Sequence, residues 1–298
     1  MADEAPGSPQ QTDTADAPAR RRWILPAVAA AVVVALVAGG ALWYRDDRSP
    51  VEQMLAEHPF YVAHRGGGAD SPEMSLAGYR KAVANGADGL ELSLARTSDG
   101  VWFGLHDPTL DRTSGTQGFV ASQHTWAEVR QHQISAQGVR TSAGTRSPQP
   151  YMTLEQLIHA FGGSHVIFVD PKAVDHRYYR ELLDVLDRSV DDPTSTFVAK
   201  SYYDNDDWAQ AARARGYTTW GYYYAKDIDG HPGVLRTTER DWDLLGLDVQ
   251  APAATWKQVL AYGKPVIAHV VTNEAEAQTA LRRGAQGLMV STLTLVPH

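Results

Sequence analysis

The sequence predicts an α/β fold, a (β/α)8 TIM barrel preceded by one N-terminal transmembrane helix. Three observations predict it. From about Phe60 onward, short apolar runs alternate with stretches of helical period, the pattern of parallel strands joined by crossover helices. Eight such runs fall within about 240 residues, which suits a closed barrel better than a doubly wound sheet. Ahead of them, residues 23–44 form an uncharged apolar stretch.

Taken in order, residues 1–22 read as a disordered cytoplasmic tail, rich in Ala, Pro, Asp, Gln and Thr and ending in Arg20-Arg21-Arg22. The run from Trp23 to Tyr44 would extend about 33 Å as a helix, enough for a hydrocarbon core of about 30 Å. Trp23 and Trp43-Tyr44 suit the two interfaces. The three arginines on the N-terminal side are not matched beyond it, where Asp46 and Asp47 offset Arg45 and Arg48. That asymmetry predicts a single-pass cell-membrane protein with a cytoplasmic tail and an extracytoplasmic domain. The alternative is secretion after signal cleavage, with Gly39-Gly40-Ala41 as the small-residue site and Arg21-Arg22 as a twin-arginine-like pair. Residues 45–57 read as a linker and 58–298 as the barrel.

The expected strands are Phe60–Ala63, Gly89–Leu94, Val166–Val169, Thr196–Ala199, Thr218–Tyr222, Leu244–Leu247, Pro265–Val271 and Gly287–Val290. The expected helices are Glu73–Asn85, Leu154–Phe161, Tyr178–Ser189, Asp206–Arg215, Ala254–Tyr262 and Glu274–Arg283. Val101–Leu105 follows the turn signal Ser98-Asp99-Gly100 and reads as an added hairpin strand. Gln133–Pro148 carries no periodicity and reads as a loop over the barrel mouth.

Composition removes several function classes. The formal net charge of −8 over 298 residues argues against nucleic acid as a main partner. With no cysteine, there are no disulfides, thiolate zinc sites or cysteine nucleophiles. A metal would need oxygen or imidazole ligands, which favours Mg²⁺ or Ca²⁺.

Residues with reactive chemistry gather at the C-terminal strand ends, the active face of such a barrel. They are His64-Arg65-Gly66, Glu91, His106-Asp107 and Asp170-Pro171-Lys172. An acid inside an apolar strand, as in Gly89-Leu90-Glu91-Leu92, must be paired or ligating. The order His64-Arg65-Gly66, Pro72-Glu73-Met74, Glu91-Leu92-Ser93, Asp99-Gly100, His106-Asp107 and Leu110-Asp111-Arg112-Thr113 resembles the signature of the glycerophosphodiester phosphodiesterase family. Pro150–Glu155, Val169–Lys172 and Pro265–Gly287 extend the resemblance over roughly residues 58–292.

The resemblance implies a phosphoric diester hydrolase releasing an alcohol and glycerol phosphate from glycerophosphodiesters or related headgroups. His64 and His106 would be the acid–base pair, working through a cyclic phosphate intermediate. Arg65 and Lys172 would bind phosphate oxygens, and Glu91 and Asp170 would hold the divalent cation. Glu73 would stand just outside those ligands or reach the substrate. The chain departs from the family at two ligands, with Ser93 where the family has aspartate and Asp170 where it has glutamate. Ser93 could ligate weakly, but its hydroxyl is expected to face water or backbone. Glu91 could instead pair with Arg65 or Lys172, and Asp170 with Lys172. His269 stands where the family has a pocket aromatic, and is either a stacking replacement or a core histidine. Tyr202-Tyr203 and Trp220–Tyr224 are divided between a headgroup pocket and barrel packing. Two other readings follow: a barrel that binds phosphorylated headgroups without a working metal site, and a phospholipase D-like enzyme that cyclises headgroups.

Overall fold

The computed structural model describes residues 48–140, 144 and 146–297. The expected tail and membrane helix lie outside the described residues. Among the described residues no helix is long and apolar enough to cross a membrane.

Eight parallel strands close into a barrel: β1 (Phe60–Ala63), β2 (Gly89–Arg96), β4 (Val166–Ala173), β5 (Phe197–Tyr202), β6 (Thr218–Tyr223), β7 (Leu244–Asp248), β8 (Val266–Val271) and β9 (Gly287–Val290). β1 pairs with both β2 and β9, which closes the ring. β3 (Trp102–Gly104) lies antiparallel on β2, as the turn signal before it predicts. Closure removes the unpaired edges that an open sheet would leave.

Strand alternation sorts the side chains. Phe60, Val62, Phe168, Val198, Trp220, Ile267 and Met289 pack together as the barrel interior. Their neighbours in sequence, such as Leu90, Leu92, Ile167 and Val169, pack outward under the helices. The interior is tight. A Cβ on Gly287 would stand 2.3 Å from the Phe60 ring, so glycine there makes room for an aromatic of the floor. Because the period is two, the inward face of each strand continues upward from these apolar residues into polar ones. Val62 leads to His64, Phe168 to Asp170, Val198 to Lys200, Ile267 to His269 and Met289 to Ser291.

Several boundaries differ from expectation. The linker 45–57 contains a helix, Pro50–Ala56, with Ser49 and Glu52 forming a reciprocal cap. Val51 and Met54 on this helix are buried among the floor residues, and the compact unit that holds the barrel takes in this helix from Arg48 onward. The helix expected at Glu73–Asn85 begins only at Leu76, capped by Ser75, because Met74 turns left-handed at φ 56° and buries its side chain. Thr196 closes a short helix, Pro193–Thr196, and the strand starts one residue later. β4 runs four residues past Val169, so Asp170-Pro171-Lys172 lies within the strand rather than after it. Within the expected loop Gln133–Pro148, Gln133–Ile134 pairs with Gln149–Pro150.

Candidate active site

β1 ends in a tight turn. His64–Gly66 makes one 3-10 turn with Arg65 at φ 53°, followed by Gly66 and Gly67 at positive φ. A Cβ on Gly67 would meet the Leu293 side chain at 2.6 Å, so a larger residue has neither the conformation nor the space. This turn aims the Arg65 backbone N–H at Glu91 Oε2, at 2.9 Å. Beside it, His64 Nδ1 lies 3.1 Å from Ser291 Oγ at the end of β9.

His64, Arg65, His106, Lys172 and Lys200 line one pocket at the C-terminal mouth of the barrel, facing Tyr222, Tyr224 and His269. A wider hollow at the opposite end of the barrel, bordered by Met54, Asp88 and His165, has no lysine or arginine on its walls. Chemistry, not size, locates the site.

The candidate residues fall into two connected groups. At the rim, His106 Nδ1 is 2.7 Å from Asp107 Oδ1, and Arg112 Nε donates to Asp107 Oδ2. Arg112 also donates to both oxygens of Glu73, at 2.7 and 3.0 Å, and Arg65 reaches Glu73 at 3.3 Å. Glu73 thus ties the His106 side of the pocket to Arg65. Although burial alone would raise its pKa, these guanidinium partners hold Glu73 below the ordinary carboxylate range.

The second group lies deeper, on the inward faces of β2, β4 and β5. Lys200 Nζ stands between Glu91 Oε1 at 2.8 Å and Asp170 Oδ2 at 2.7 Å. Both carboxylates are fully buried and Lys200 is 7% exposed. Ser93 donates to Glu91 Oε1 at 3.0 Å, rather than facing water or backbone. Against the cost of burial, Lys200, His64 and Arg65 hold Glu91 well below the usual carboxylate range. The same two carboxylates raise Lys200 despite its burial.

The expected ion pairs are therefore redrawn. Glu91 pairs with Lys200, not with Lys172, and meets Arg65 through its backbone. Asp170 pairs with Lys200 rather than Lys172. Lys172 instead donates to the Tyr222 hydroxyl. Lys200 was absent from the expected site because the apolar run Thr196–Ala199 stops one residue before it. The signal that marks Glu91, a charge in register with buried strand positions, also marks Lys200.

His269 is 4% exposed, with Nε2 3.1 Å from the Tyr223 carbonyl, and its ring lies 5.1 Å from Tyr222 and 5.2 Å from Tyr224. It is both buried and part of the aromatic wall. Of the tyrosines, Tyr223 turns outward and stacks on Tyr203, while Tyr222 and Tyr224 face the pocket.

Burial lowers His64 well below 6.5, with Glu91 opposing and Arg65, Lys200 and His106 adding to the drop. His106 is lowered too, by burial and Arg65, but Asp107 pulls it back up. Of the two imidazoles, His106 holds its proton more firmly.

A divalent cation does not fit these residues. Ca²⁺ takes six to eight oxygen ligands, and Mg²⁺, which two carboxylates can hold when water and phosphate complete its octahedron, still needs their oxygens free. Three of their four oxygens are already engaged, by Lys200, Ser93 and the Arg65 N–H; only Asp170 Oδ1 is buried without a partner. Among the described residues no group of three or more acidic or histidine side chains is arranged to hold a metal.

The fold and pocket define a TIM barrel whose mouth presents two histidines and a cluster of cationic side chains, an arrangement suited to acid–base chemistry on an oxyanion. Residues 64–217 match the model of the "Glycerophosphoryl diester phosphodiesterase family", and the chain belongs to that family. It is similar to a probable glycerophosphodiester phosphodiesterase 1 of Mycobacterium tuberculosis, 45% identical over 85 residues, 28% of this chain and 31% of that protein. Human glycerophosphodiester phosphodiesterase 1 is 51% identical over 57 residues, 19% of this chain and 17% of that protein. The matched stretch thus spans about a third or less of these relatives' own length. The fold is similar to that of an Oleispira antarctica phosphodiesterase solved with the product sn-glycerol-3-phosphate, at TM-score 0.67 and 18% identity, covering 84% of this chain and 98% of that one.

Proposed function

We propose that the chain hydrolyses glycerophosphodiesters, releasing an alcohol and glycerol phosphate, with His64 and His106 as the acid–base pair. The observation that carries this is that both histidines line one pocket with Arg65, Lys172 and Lys200. Arg65 Nε is buried without a partner there, a donor that a phosphoryl oxygen can take. The family match and the product found in the Oleispira antarctica enzyme support the same substrate class.

The unequal basicity of the histidines sets their order. His64, the weaker base, is neutral at the start and takes the proton from a substrate glycerol hydroxyl as that oxygen bonds to phosphorus. His106, protonated and held through Nδ1 by Asp107, gives its proton to the alcohol oxygen as the phosphorus–oxygen bond breaks. Water then opens the cyclic phosphate with the two roles exchanged, restoring both histidines. Arg65 and Lys172 hold the non-bridging oxygens throughout. Glu73 acts through Arg65 and Arg112 and touches no reacting atom.

Placement outside the membrane is part of the same proposal, resting on Arg20-Arg21-Arg22 ahead of the apolar run Trp23–Tyr44. Protease treatment of intact cells should then remove the barrel and leave the tail.

The test of function is alcohol release by the full chain in detergent from a panel of glycerophosphodiesters. Release of alcohol with matching glycerol phosphate is expected. A folded protein that turns over no headgroup in the panel overturns the proposal.

A further inference from the structure

Lys200 stands where the family resemblance puts a metal ion. Its ammonium bridges Glu91 and Asp170, the two acids that would have ligated the cation, at 2.8 and 2.7 Å. We propose that Lys200 is the permanent cation of this site, and that the chain acts on phosphodiesters without a divalent metal. This rests on the phosphodiesterase reading.

Three observations converge. The first is charge. Three carboxylates around a dication carry one net negative charge, and so do two carboxylates around one ammonium. Replacing an acid by Ser93 and placing Lys200 between the remaining two therefore leaves the net charge of the site unchanged. The second is construction. Lys200 Nζ lies 4.9 Å from the Tyr222 ring centre and 5.7 Å from that of Trp220, so aromatic faces and two carboxylates surround it. The Trp208 indole N–H donates to the Lys200 carbonyl at 3.1 Å and fixes the backbone below it. The third is occupancy of the ligands. Ser93, the position that would have supplied the third acid, turns its hydroxyl onto Glu91 at 3.0 Å. A metal entering here would have to displace a buried ammonium held by both acids, and would find one free carboxylate oxygen.

Lys200 also faces the pocket beside Arg65 and Lys172. Unlike a bound ion it cannot dissociate, so the positive charge meeting the phosphate is covalently fixed.

The test is calorimetric titration of Mg²⁺ and Ca²⁺ into the full chain, alongside turnover measured before and after exhaustive chelation. We expect no saturable binding of either cation at micromolar concentrations, and turnover unchanged by the chelator. In the double variant Lys200→Ala/Ser93→Asp, metal affinity should rise by at least about tenfold, because a third acid appears and the ammonium leaves. Stoichiometric micromolar binding to the unmodified chain, lost in Glu91→Gln, overturns the inference, as does turnover that chelation abolishes and metal restores. Either result leaves the phosphodiesterase reading standing. If no diester is turned over under any condition, that reading fails, and the titration alone still decides whether Lys200 or a metal holds the site. Should the double variant not fold, titration of the unmodified chain carries the decision.

Discussion

The barrel interior and the barrel rim both hold chains of opposite charges, and they hold them differently. In the interior, Glu91 and Asp170 are fully buried around Lys200. At the rim, Arg112 is 48% exposed, Asp107 26% and Glu73 16%. Each region positions one histidine. His64 follows β1 and leans on Ser291 beside the buried group, while His106 leans on Asp107 in the half-exposed chain. The contrast teaches that similar ion pairs serve different ends. Buried, they make an arrangement that cannot lose a member. Half-exposed, they orient a side chain at little cost to stability.

The largest expected effect falls on both regions alike. His64→Ala and His106→Ala should each lower kcat by about 10²–10⁴-fold, the range of a lost general acid or base. Far-ultraviolet circular dichroism of each variant should match the unmodified protein. A histidine variant that keeps more than about a tenth of the rate would remove that residue from the chemistry and break the pairing of the two regions.

Next in size is the interior. Lys200→Met leaves two buried carboxylates facing each other, and should cost about 3–5 kcal/mol of stability in urea unfolding. Arg112→Met, which removes the corresponding cation of the rim, should cost less than about 1 kcal/mol. Equal losses would show that burial does not set what these ion pairs contribute.

How much of this was legible in the sequence follows the same divide. The strands and their inward faces could be read because alternation is local. Val62 and His64, or Phe168 and Asp170, are two residues apart. The family motifs then marked His64, Glu91 and His106. The pairing of Lys200 was not legible, since its partners lie 109 and 30 residues away on other strands, and only closure of the barrel brings them together. A lysine after Phe197-Val198-Ala199 reads as the end of a strand until that closure buries it. Arg112 stands within the motif Leu110-Asp111-Arg112-Thr113, which by itself gives it no role. Its fork onto Glu73 depends on the left-handed turn at Met74, which sequence pattern presents as the start of a helix.

A smaller effect is expected at Asp107. Asp107→Asn keeps the shape but removes the charge that raises His106 against burial and Arg65. Activity should fall by at least about tenfold, because the carboxylate that fixes the tautomer of His106 and stabilises its protonated form is lost. The pH dependence gives a sharper test. In the unmodified protein both histidines are lowered from 6.5, so the optimum of kcat/KM should lie on the acid side of that value. His106 must be protonated in the first step, and the rate falls as pH rises through its pKa. Losing Asp107 lowers that pKa further, so the basic limb should move to lower pH. A basic limb that stays in place would show that His106 is not the proton donor.

The smallest effect, and the most specific, concerns the Arg112 fork. Arg112 makes two parallel bonds to Glu73 and a third to Asp107, a geometry that a planar guanidinium satisfies and a single ammonium does not. Arg112→Lys keeps the charge, so thermal unfolding should be nearly unchanged, because exposed pairs contribute less than about 1 kcal/mol. The kinetic change should appear nonetheless, as a loss of several-fold in kcat/KM at constant fold, because Glu73 then no longer links Asp107 to Arg65. If Arg112→Lys matches the unmodified protein in both stability and kcat/KM, charge alone suffices at the rim. The orienting role given to that chain would then belong to Asp107 by itself.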